Sequence, residues 1–232
     1  MIDSPSVWLW SCLEPRLTPR QLDVLAGESR ACVDDRSFFR AFALLARGTG
    51  KSAAELAPWE LRTAARLCEG WAPGSWRIDE LARLWLVLAA HADVDTLVRR
   101  VEALFAIADI GELVTLYRGL PLFPSPQRWQ ARASEGARSN MKDVFEAVAL
   151  DNPYPARFLQ DDAFNQLVLK ALHVESPLER IHGLRARLNP RLTAMLLDYV
   201  SERRAARRPV DPRLFHYLPL APASATTERS PS

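Results

Sequence analysis

Residues 143–158 read DVFEAVALDNPYPARF, a stretch that changes from a helical pattern to a stiff, proline-spaced turn without an intervening linker. The two prolines of DNPYP push the residues before them, Asn152 and Tyr154, towards extended conformations, so the helix is expected to end near Leu150. A helix followed at once by a rigid corner fixes the angle to the next helical segment. This arrangement is typical of a protein built from packed helices.

The same helical period recurs along almost the entire chain, whereas the alternating pattern of β-strands is nearly absent. Helices are predicted over residues 19–31, 37–47, 57–70, 77–92, 93–109, 110–120, 127–137, 141–150, 161–174, 176–184 and 189–208. Short turns between them predict an all-α fold of stacked antiparallel helical pairs. Because no strict internal repeat is visible, the arrangement is either a HEAT-like right-handed solenoid or a compact helical array.

Size and composition favour a small globular protein. The chain has 232 residues, 48% of them hydrophobic and 25% charged, with a formal net charge of +2. We expect a single helical domain over residues 1–218 and a disordered tail over residues 219–232, where apolar side chains are too few to pack. The nearly neutral charge and the dispersed basic residues argue against nucleic-acid binding.

Targeting and redox signals predict a cytoplasmic protein. The N-terminus lacks the basic start and the apolar run of a signal peptide, and the most apolar segment contains Arg83 and His91. The three cysteines, Cys12, Cys32 and Cys68, are isolated and odd in number, so we expect buried free thiols. Membrane contact would be peripheral at most, for example through the basic tract ERRAARR (202–208), which is more simply a solvated helix end.

Motifs for catalysis, metals or cofactors are not evident. GTGKS (48–52) resembles the end of a phosphate-binding loop, but Leu45 stands where the first glycine is required, and a helix precedes it instead of a strand. We therefore expect Gly48 to end one helix and Ser52 to cap the next. The histidines have no metal-ligand spacing, so we expect neither a metal site nor a cofactor.

Polar residues around DNPYP are the candidates for a site. Asp143 and Glu146 lie together on the face opposite the apolar stripe, where they are either a solvated face or the wall of a groove. Asn165 falls on a wide apolar surface of the next long helix and should therefore be buried and hydrogen-bonded. The nearest candidate partner is the backbone of DNPYP.

Three long strings in the second half of the chain resemble the EboA-domain family, namely DIGELVTLYRGLPLFPSP, EGARSNMKDVFEAVALDNPYPARFLQDDAFNQLVLKAL and IHGLRARLNPRLTAMLLDYVSERRAARRPVDPRLF. The resemblance covers roughly residues 93–215 and is looser in the first half. It implies a helical bacterial protein of secondary-metabolite traffic, without an established catalytic activity. The site candidates among the matching positions are Glu135, Arg138, Asn140, Asp143, Glu146, Asp151, Asn152, Tyr154, Asn165, Lys170 and His182.

The resemblance also implies partners, namely a prenyltransferase-like membrane protein and predicted barrel enzymes from the same Ebo operon. We therefore expect a non-enzymatic helical module of a metabolite traffic or export system that binds a metabolite precursor or a partner protein, in the cytoplasm or peripheral to the inner membrane. Two alternatives stay open at this point. One is an enzyme that modifies a hydroxyl-rich or prenylated metabolite with Asp143, Glu146 or Asp151 as acid or base, and the other is a pure protein–protein scaffold.

Overall fold

Helices make up the fold in a computed structural model of the protein, which describes residues 4–91 and 93–218. The expected disordered tail (219–232) lies outside the described residues. The α-helices are α1 (Pro5–Leu13), α2 (Pro19–Ala31), α3 (Asp35–Thr49), α4 (Pro58–Leu67), α5 (Ile78–Ala89), α6 (Val94–Ile107), α7 (Ile110–Gly119), α8 (Gln130–Arg138), α9 (Lys142–Ala149), α10 (Tyr154–Phe158), α11 (Asp161–His173) and α12 (Pro190–Ala205). Short 3-10 helices cover Leu120–Leu122, Pro126–Trp129, Leu178–Arg180 and Pro212–Tyr217. Extended pairing within the described ranges is limited to one isolated antiparallel bridge between Ala53 and Arg77, which confirms the all-α prediction.

Capping side chains explain where many of the helices begin. Thr18 accepts a hydrogen bond from the Gln21 amide while the Gln21 side chain reaches back to the Thr18 amide, so both orphan N–H groups at the start of α2 are satisfied. Asp34 caps α3 through the Ser37 amide. Each of these caps is formed within four consecutive residues, so it depends on local sequence.

Helix α5 lies at the centre of the first half of the molecule. Most of its residues are buried, and it packs against α1, α3 and α7, which come from well-separated parts of the chain. Such long-range packing around a central helix corresponds to the compact helical array of the two predicted architectures. Helix α1 was not among the predicted helices, although its Trp8 is fully buried and donates a hydrogen bond from Nε1 to the carbonyl oxygen of Glu60 at 3.0 Å.

One cluster of buried apolar side chains runs from Trp8 in α1 to Leu214 near the C-terminal end of the described chain. The three cysteines are buried free thiols, as expected. No helix within the described ranges combines the length and apolarity needed to cross a bilayer.

Three local predictions are wrong. Helix α3 continues through Gly48 to Thr49 and ends at Gly50, whose φ of +80° is in the left-handed region that favours glycine. Ser52 does not cap α4, because the N-cap of that helix is Ala57 and the Ser52 carbonyl instead accepts a hydrogen bond from the Ile78 amide. The predicted helix over residues 176–184 is a single 3-10 turn followed by bends.

Tyr154 also departs from its predicted extended conformation. It is the first residue of α10, a helix of one and a half turns, with Pro155 at the position where a proline is tolerated because no intrahelical N–H is needed. The preceding helix α9 does end at Ala149, as predicted from the prolines. The chain therefore bends sharply between two helices instead of running on as an extended segment.

Candidate functional site

The corner between α9 and α10 is held by the side chain of Asn152. Its Nδ2 donates to the carbonyl oxygens of Tyr117 and Ala147, both at 3.0 Å, and its Oδ1 accepts from the Tyr154 amide at 3.0 Å. The Asn152 side chain thus connects the last turns of α7 and α9 to the first amide of α10. Asn152 is 3% exposed, so its amide has exchanged water for these three partners.

Asp151 joins the same corner to two other segments of the chain. Its φ of +52° is left-handed, a conformation that Asp tolerates better than most residues, and it turns the backbone towards Arg180. The Asp151 amide donates to the Arg180 carbonyl at 2.9 Å, and Arg180 Nε donates back to Asp151 Oδ2 at 2.9 Å. The Ala72 amide donates to the Asp151 carbonyl at 3.2 Å.

A pocket of about 200 Å³ opens where these segments meet. We call it the corner pocket; its lining residues are Trp71, Ala72, Ser75, Trp76, Arg118, Glu146, Ala147, Leu150, Asp151, Asn152 and Arg180. Four separate stretches of sequence contribute to it, from the α4–α5 loop, the end of α7, the α9 corner and the turn after α11. The walls contain guanidinium, carboxylate, amide and hydroxyl groups beside two indoles.

Each arginine of the corner pocket already has a carboxylate partner. Arg118 Nη1 lies 3.0 Å from Oε1 of Glu80, which is buried, and Arg180 is paired with Asp151. The hydrogen bond to Asp151 is the main cause of a raised pKa for Arg180. Charge is therefore nearly balanced around the pocket, while hydrogen-bond donors and acceptors both face it.

Glu146 and the indoles complete the walls. Glu146 Oε1 accepts a hydrogen bond from the Ser176 hydroxyl at 2.7 Å, which orients the carboxylate. The rings of Trp71 and Trp76 meet edge to face with centroids 5.3 Å apart, and Trp71 Nε1 donates to the Arg118 carbonyl at 3.3 Å. The aromatic wall is thus rigid before any ligand arrives.

Of the candidates predicted from the sequence, Glu146, Asp151 and Asn152 line the corner pocket. Tyr154 is fully buried behind them; its hydroxyl donates to the Pro126 carbonyl, and burial raises its pKa. Asp143 is exposed and does not line the pocket, so the two carboxylates of α9 are not partners in one groove. Residues three apart differ by only about 60° around a helix, yet Asp143 is exposed to solvent whereas Glu146 lies at the edge of the packed face.

Asn165 is buried, as predicted, but its predicted partner is wrong. Its amide exchanges two hydrogen bonds with the amide of Asn189, at 3.2 and 3.0 Å, and not with the backbone of DNPYP. Asn189 is also the N-cap of α12, where its Oδ1 accepts from the Leu192 amide at 2.9 Å. Asn165 therefore fastens α11 to the start of α12.

The remaining candidates lie away from the corner pocket. Glu135 is exposed and pairs with Arg132 at 2.8 Å, and Asn140 is exposed. His182 packs on Gly70, where an added Cβ would lie 2.0 Å from the imidazole ring. Arg138 and Lys170 line a second, larger cavity between α8 and α11.

Several pocket residues were not predicted, namely Trp71, Ser75, Trp76, Arg118 and Arg180. Arg118 stands within one of the strings that resemble the EboA-domain family, so that string contains a signal for it. The segment WAPGSWR (71–77) also places two tryptophans in a loop rich in turn residues, which is uncommon for side chains of that size.

The family model described as metabolite traffic protein EboA matches residues 7–219. The chain belongs to the EboA family. The match includes every residue of the corner pocket and supports a role in metabolite traffic. Neither a curated protein nor a solved structure matches the chain.

Proposed function

We propose that the chain serves metabolite traffic as a non-enzymatic binding module, and that the corner pocket holds a small, hydroxyl-rich metabolite or the hydroxyl-rich part of a larger one. The observation that carries this proposal is the pairing of both pocket arginines with carboxylates. An unpaired arginine cluster would select an anion. Arg118 with Glu80 and Arg180 with Asp151 instead present donors and acceptors at nearly zero net charge.

Shape and aromatic content support the same ligand class. The volume of about 200 Å³ is below the range of about 300–1,000 Å³ that drug-sized ligands occupy, so a single ring fits the pocket better than an extended molecule. The C–H face of a polyhydroxylated ring packs on an indole while its hydroxyls reach charged side chains. Trp71 and Trp76 provide the first kind of contact, and Glu146, Asp151 and Asn152 provide the second.

The contacts of the carboxylates support the proposal of binding without turnover. Glu146 is oriented by Ser176, and Asp151 is bound to Arg180 and to the backbone of two other segments. Asp143, the third carboxylate considered as an acid or base, is outside the pocket. Both pocket carboxylates are thus held in fixed orientations, in which they can accept hydrogen bonds from a ligand's hydroxyl groups.

We further propose that the module passes its metabolite between the other Ebo-operon proteins, including the prenyltransferase-like membrane protein and the barrel enzymes, at the cytoplasmic side of the inner membrane. Support comes from the family membership and from the absence, among the described residues, of a helix able to span a bilayer. A module that carries a metabolite to a membrane protein needs only peripheral contact with the membrane.

Isothermal titration calorimetry tests the ligand class with myo-inositol and glucose as probes and cyclohexanol as a ring without the additional hydroxyls. We expect the polyols to bind and cyclohexanol not to bind. Binding of cyclohexanol with equal affinity, or no binding by any polyol, would contradict the proposed class. Chemical conversion of a polyol, detected by mass spectrometry, would instead support the alternative that the protein is an enzyme.

Helix α9 offers a matched pair of variants. Glu146→Gln removes a charge inside the corner pocket, and Asp143→Asn removes one outside it. Both variants should stay folded, with the free energy of unfolding changed by about 0.5 kcal/mol or less for the exposed Asp143. Only Glu146→Gln should lose polyol binding and fail to restore metabolite export in a deletion strain. If both variants restore metabolite export fully, the proposed ligand site is wrong, and the corner has only an architectural or scaffold role.

A further inference from the structure

A second cavity lies between α8 and α11, on different residues from the corner pocket. Its volume is about 590 Å³, within the range of about 300–1,000 Å³ that is typical of small-molecule sites. We call it the α8/α11 groove. It exists because the facing side chains are small, chiefly Ser134 and Ala137 from α8 and Ala163 from α11, so that the two helices leave space between them.

Most of the exposed surface of the groove is apolar, and Leu167 lies beside the alanines. Ser134, Asp162 and Gln166 also line it, together with two cationic side chains. Arg138 comes from the last turn of α8 and Lys170 from the last turns of α11. Lys170 Nζ donates to the carbonyl oxygen of Ser139 at 2.6 Å. Ser139 directly follows Arg138, so the ammonium group lies at the C-terminal end of α8. Apolar surface complements an alkyl chain, and cationic side chains from two facing helices complement an anionic head group. The groove therefore has the chemistry to bind an amphipathic anion.

These two cations differ from both arginines of the corner pocket, Arg118 and Arg180, which are paired with carboxylates. Within residues 4–91 and 93–218, no ion pair within 4.0 Å involves Arg138 or Lys170. The acidic residue of the groove, Asp162, is paired with Arg191 of α12. Partial burial lowers the pKa of Lys170, as expected for an ammonium group that has lost water without gaining a counter-ion.

Lys170 is also held in place before any ligand binds. Its ammonium lies 5.2 Å from the ring centroid of Phe145, whose ring is fully buried. Together with the bond to Ser139, this contact fixes one of the two cations, whereas Arg138 is exposed and can adjust to the ligand. A preorganised charge reduces the entropy that binding must overcome.

We propose that the α8/α11 groove binds one amphipathic molecule, with a carboxylate or phosphate-monoester head between Arg138 and Lys170 and an alkyl chain along Ala137, Ala163 and Leu167. This site goes beyond the proposed polyol site in both place and ligand chemistry. A volume of about 590 Å³ is of the size that holds one small molecule, so we expect a single ligand withdrawn from solution or from a bilayer instead of a surface that rests on a bilayer.

Calorimetry with dodecyl phosphate, below its micellar concentration, measures this binding directly. Dodecanol lacks the anionic head and inorganic phosphate lacks the chain, so each should bind at least about tenfold more weakly than dodecyl phosphate. Equal affinity for dodecanol would show an apolar groove without anion recognition and would overturn the proposal. Equal affinity for inorganic phosphate would overturn it as well.

Three variants separate the head and chain contacts. Arg138→Gln and Lys170→Gln should each weaken dodecyl phosphate binding about tenfold while leaving dodecanol unaffected. Ala163→Leu should fill the groove and weaken binding of both amphiphiles. Arg36→Gln, at an exposed arginine of α3, is the matched control and should bind as the unmodified protein does. Because Lys170 also contacts Phe145, the thermal unfolding midpoint is measured for each variant. If Lys170→Gln does not fold, the result for Arg138→Gln tests the head-group contact.

Flotation with vesicles identifies the source of the molecule. Vesicles of phosphatidylcholine containing dodecyl phosphate should transfer that molecule to the protein, which then remains unbound to the vesicles. Stable co-flotation with anionic phosphatidylglycerol vesicles, without binding of monomeric dodecyl phosphate, would show a surface contact and would overturn the single-molecule site. Polyol titrations of Arg138→Gln should be unchanged, so failure of this site is distinguishable from failure of the corner pocket.

Discussion

The two halves of the molecule bury polar groups of different kinds. In the first half, the buried charged side chains among the described residues are Glu60, Asp79, Glu80, Arg83 and Arg100. In the second half, the buried polar side chains are neutral, namely Asn152, Asn165 and Ser176. Both halves have apolar cores of similar side chains, so the difference lies in how their helices are held in register.

Arg83 in the first half and Asn152 in the second illustrate the two kinds of contact. Arg83 lies in the middle of the central helix α5, where it pairs with Asp79 at 2.8 Å and with Glu112 of α7 at 3.3 Å. A long side chain in this position bridges two helices. Asn152 and Asn189, by contrast, lie at helix ends, where a short amide satisfies backbone groups that helices leave unpaired. Arg83 thus links two helices through its charge, and Asn152 and Asn189 satisfy backbone groups through their neutral amides.

The largest effect should come from breaking a buried charged bridge. Arg83→Met removes one of the two arginines that pair with the buried Asp79, leaving Arg77, and also removes the partner of Glu112. It is expected to lower the free energy of unfolding by about 3 kcal/mol, because a buried ion pair is broken. Denaturant unfolding followed by circular dichroism measures the change. The matched variant Arg191→Met breaks an exposed pair with Asp162 and should cost at most about 1 kcal/mol. Equal costs would remove the distinction between buried and exposed bridges.

A smaller cost is expected at the neutral corner. Asn152→Ala leaves the carbonyls of Tyr117 and Ala147 and the Tyr154 amide without their side-chain partner. Loss of these bonds should lower the free energy of unfolding by about 1–3 kcal/mol. If Asn152→Ala proves as costly as Arg83→Met, neutral amides and charged bridges are equivalent in this fold.

Acid should weaken the first half before the second. Burial, together with the positive charge of Arg100, lowers the pKa of His91 from its ordinary value of 6.5 to about 4. The unfolded chain therefore takes up a proton at His91 before the folded chain does, and stability is lost as the pH falls from about 6.5 towards 4. Hydrogen exchange across this pH range should show the loss in the helices around Phe38, on which His91 packs.

His91→Leu should flatten the pH dependence between about 6.5 and 4, because the variant has no group to protonate there. His173→Gln changes an exposed histidine of the second half and should retain the unmodified slope. A flat profile in the unmodified protein would show that His91 protonates equally in both states.

The smallest effect is expected for the amide pair of the second half. Asn165→Leu breaks the reciprocal bonds with Asn189, but Asn189 is only partly buried and water can replace one partner. We expect a loss of about 1 kcal/mol in the free energy of unfolding. A double-mutant cycle with Asn189→Ser, which retains a capping hydroxyl, should show a coupling between the two positions. Additive costs would mean that the pair contributes nothing beyond the cap of α12.

Local signals made much of the fold predictable. The caps at Thr18 and Asp34 and the end of α9 before DNPYP are each determined within about four residues, so they can be read directly from sequence. Short elements were missed or mistaken, because α10 and the turn at Leu178–Arg180 depend on tertiary contacts more than on their own helical period.

The site was predicted only in part for a related reason. Glu146, Asp151 and Asn152 lie close together in sequence, within or just before DNPYP, so one local pattern indicates all three. Arg118 and Arg180 come from segments that meet the corner only after the helices pack. Likewise, burial of Asn165 follows from its helix face, but its partner Asn189 is 24 residues away and no local pattern connects them. Periodicity predicts which face is buried and cannot name the residue opposite.

The assembly of the corner pocket from four segments has a consequence for folding and lifetime. The pocket vanishes whenever one of these segments detaches, since Asp151 is bonded both to Ala72 and to Arg180. The ligand proposed for this pocket would stabilise the closed state. At a concentration a hundredfold above Kd, it would add about 2.7 kcal/mol to the free energy of any opening that separates the segments. Molecules without the proposed ligand would therefore be cut by proteases sooner than molecules that hold it.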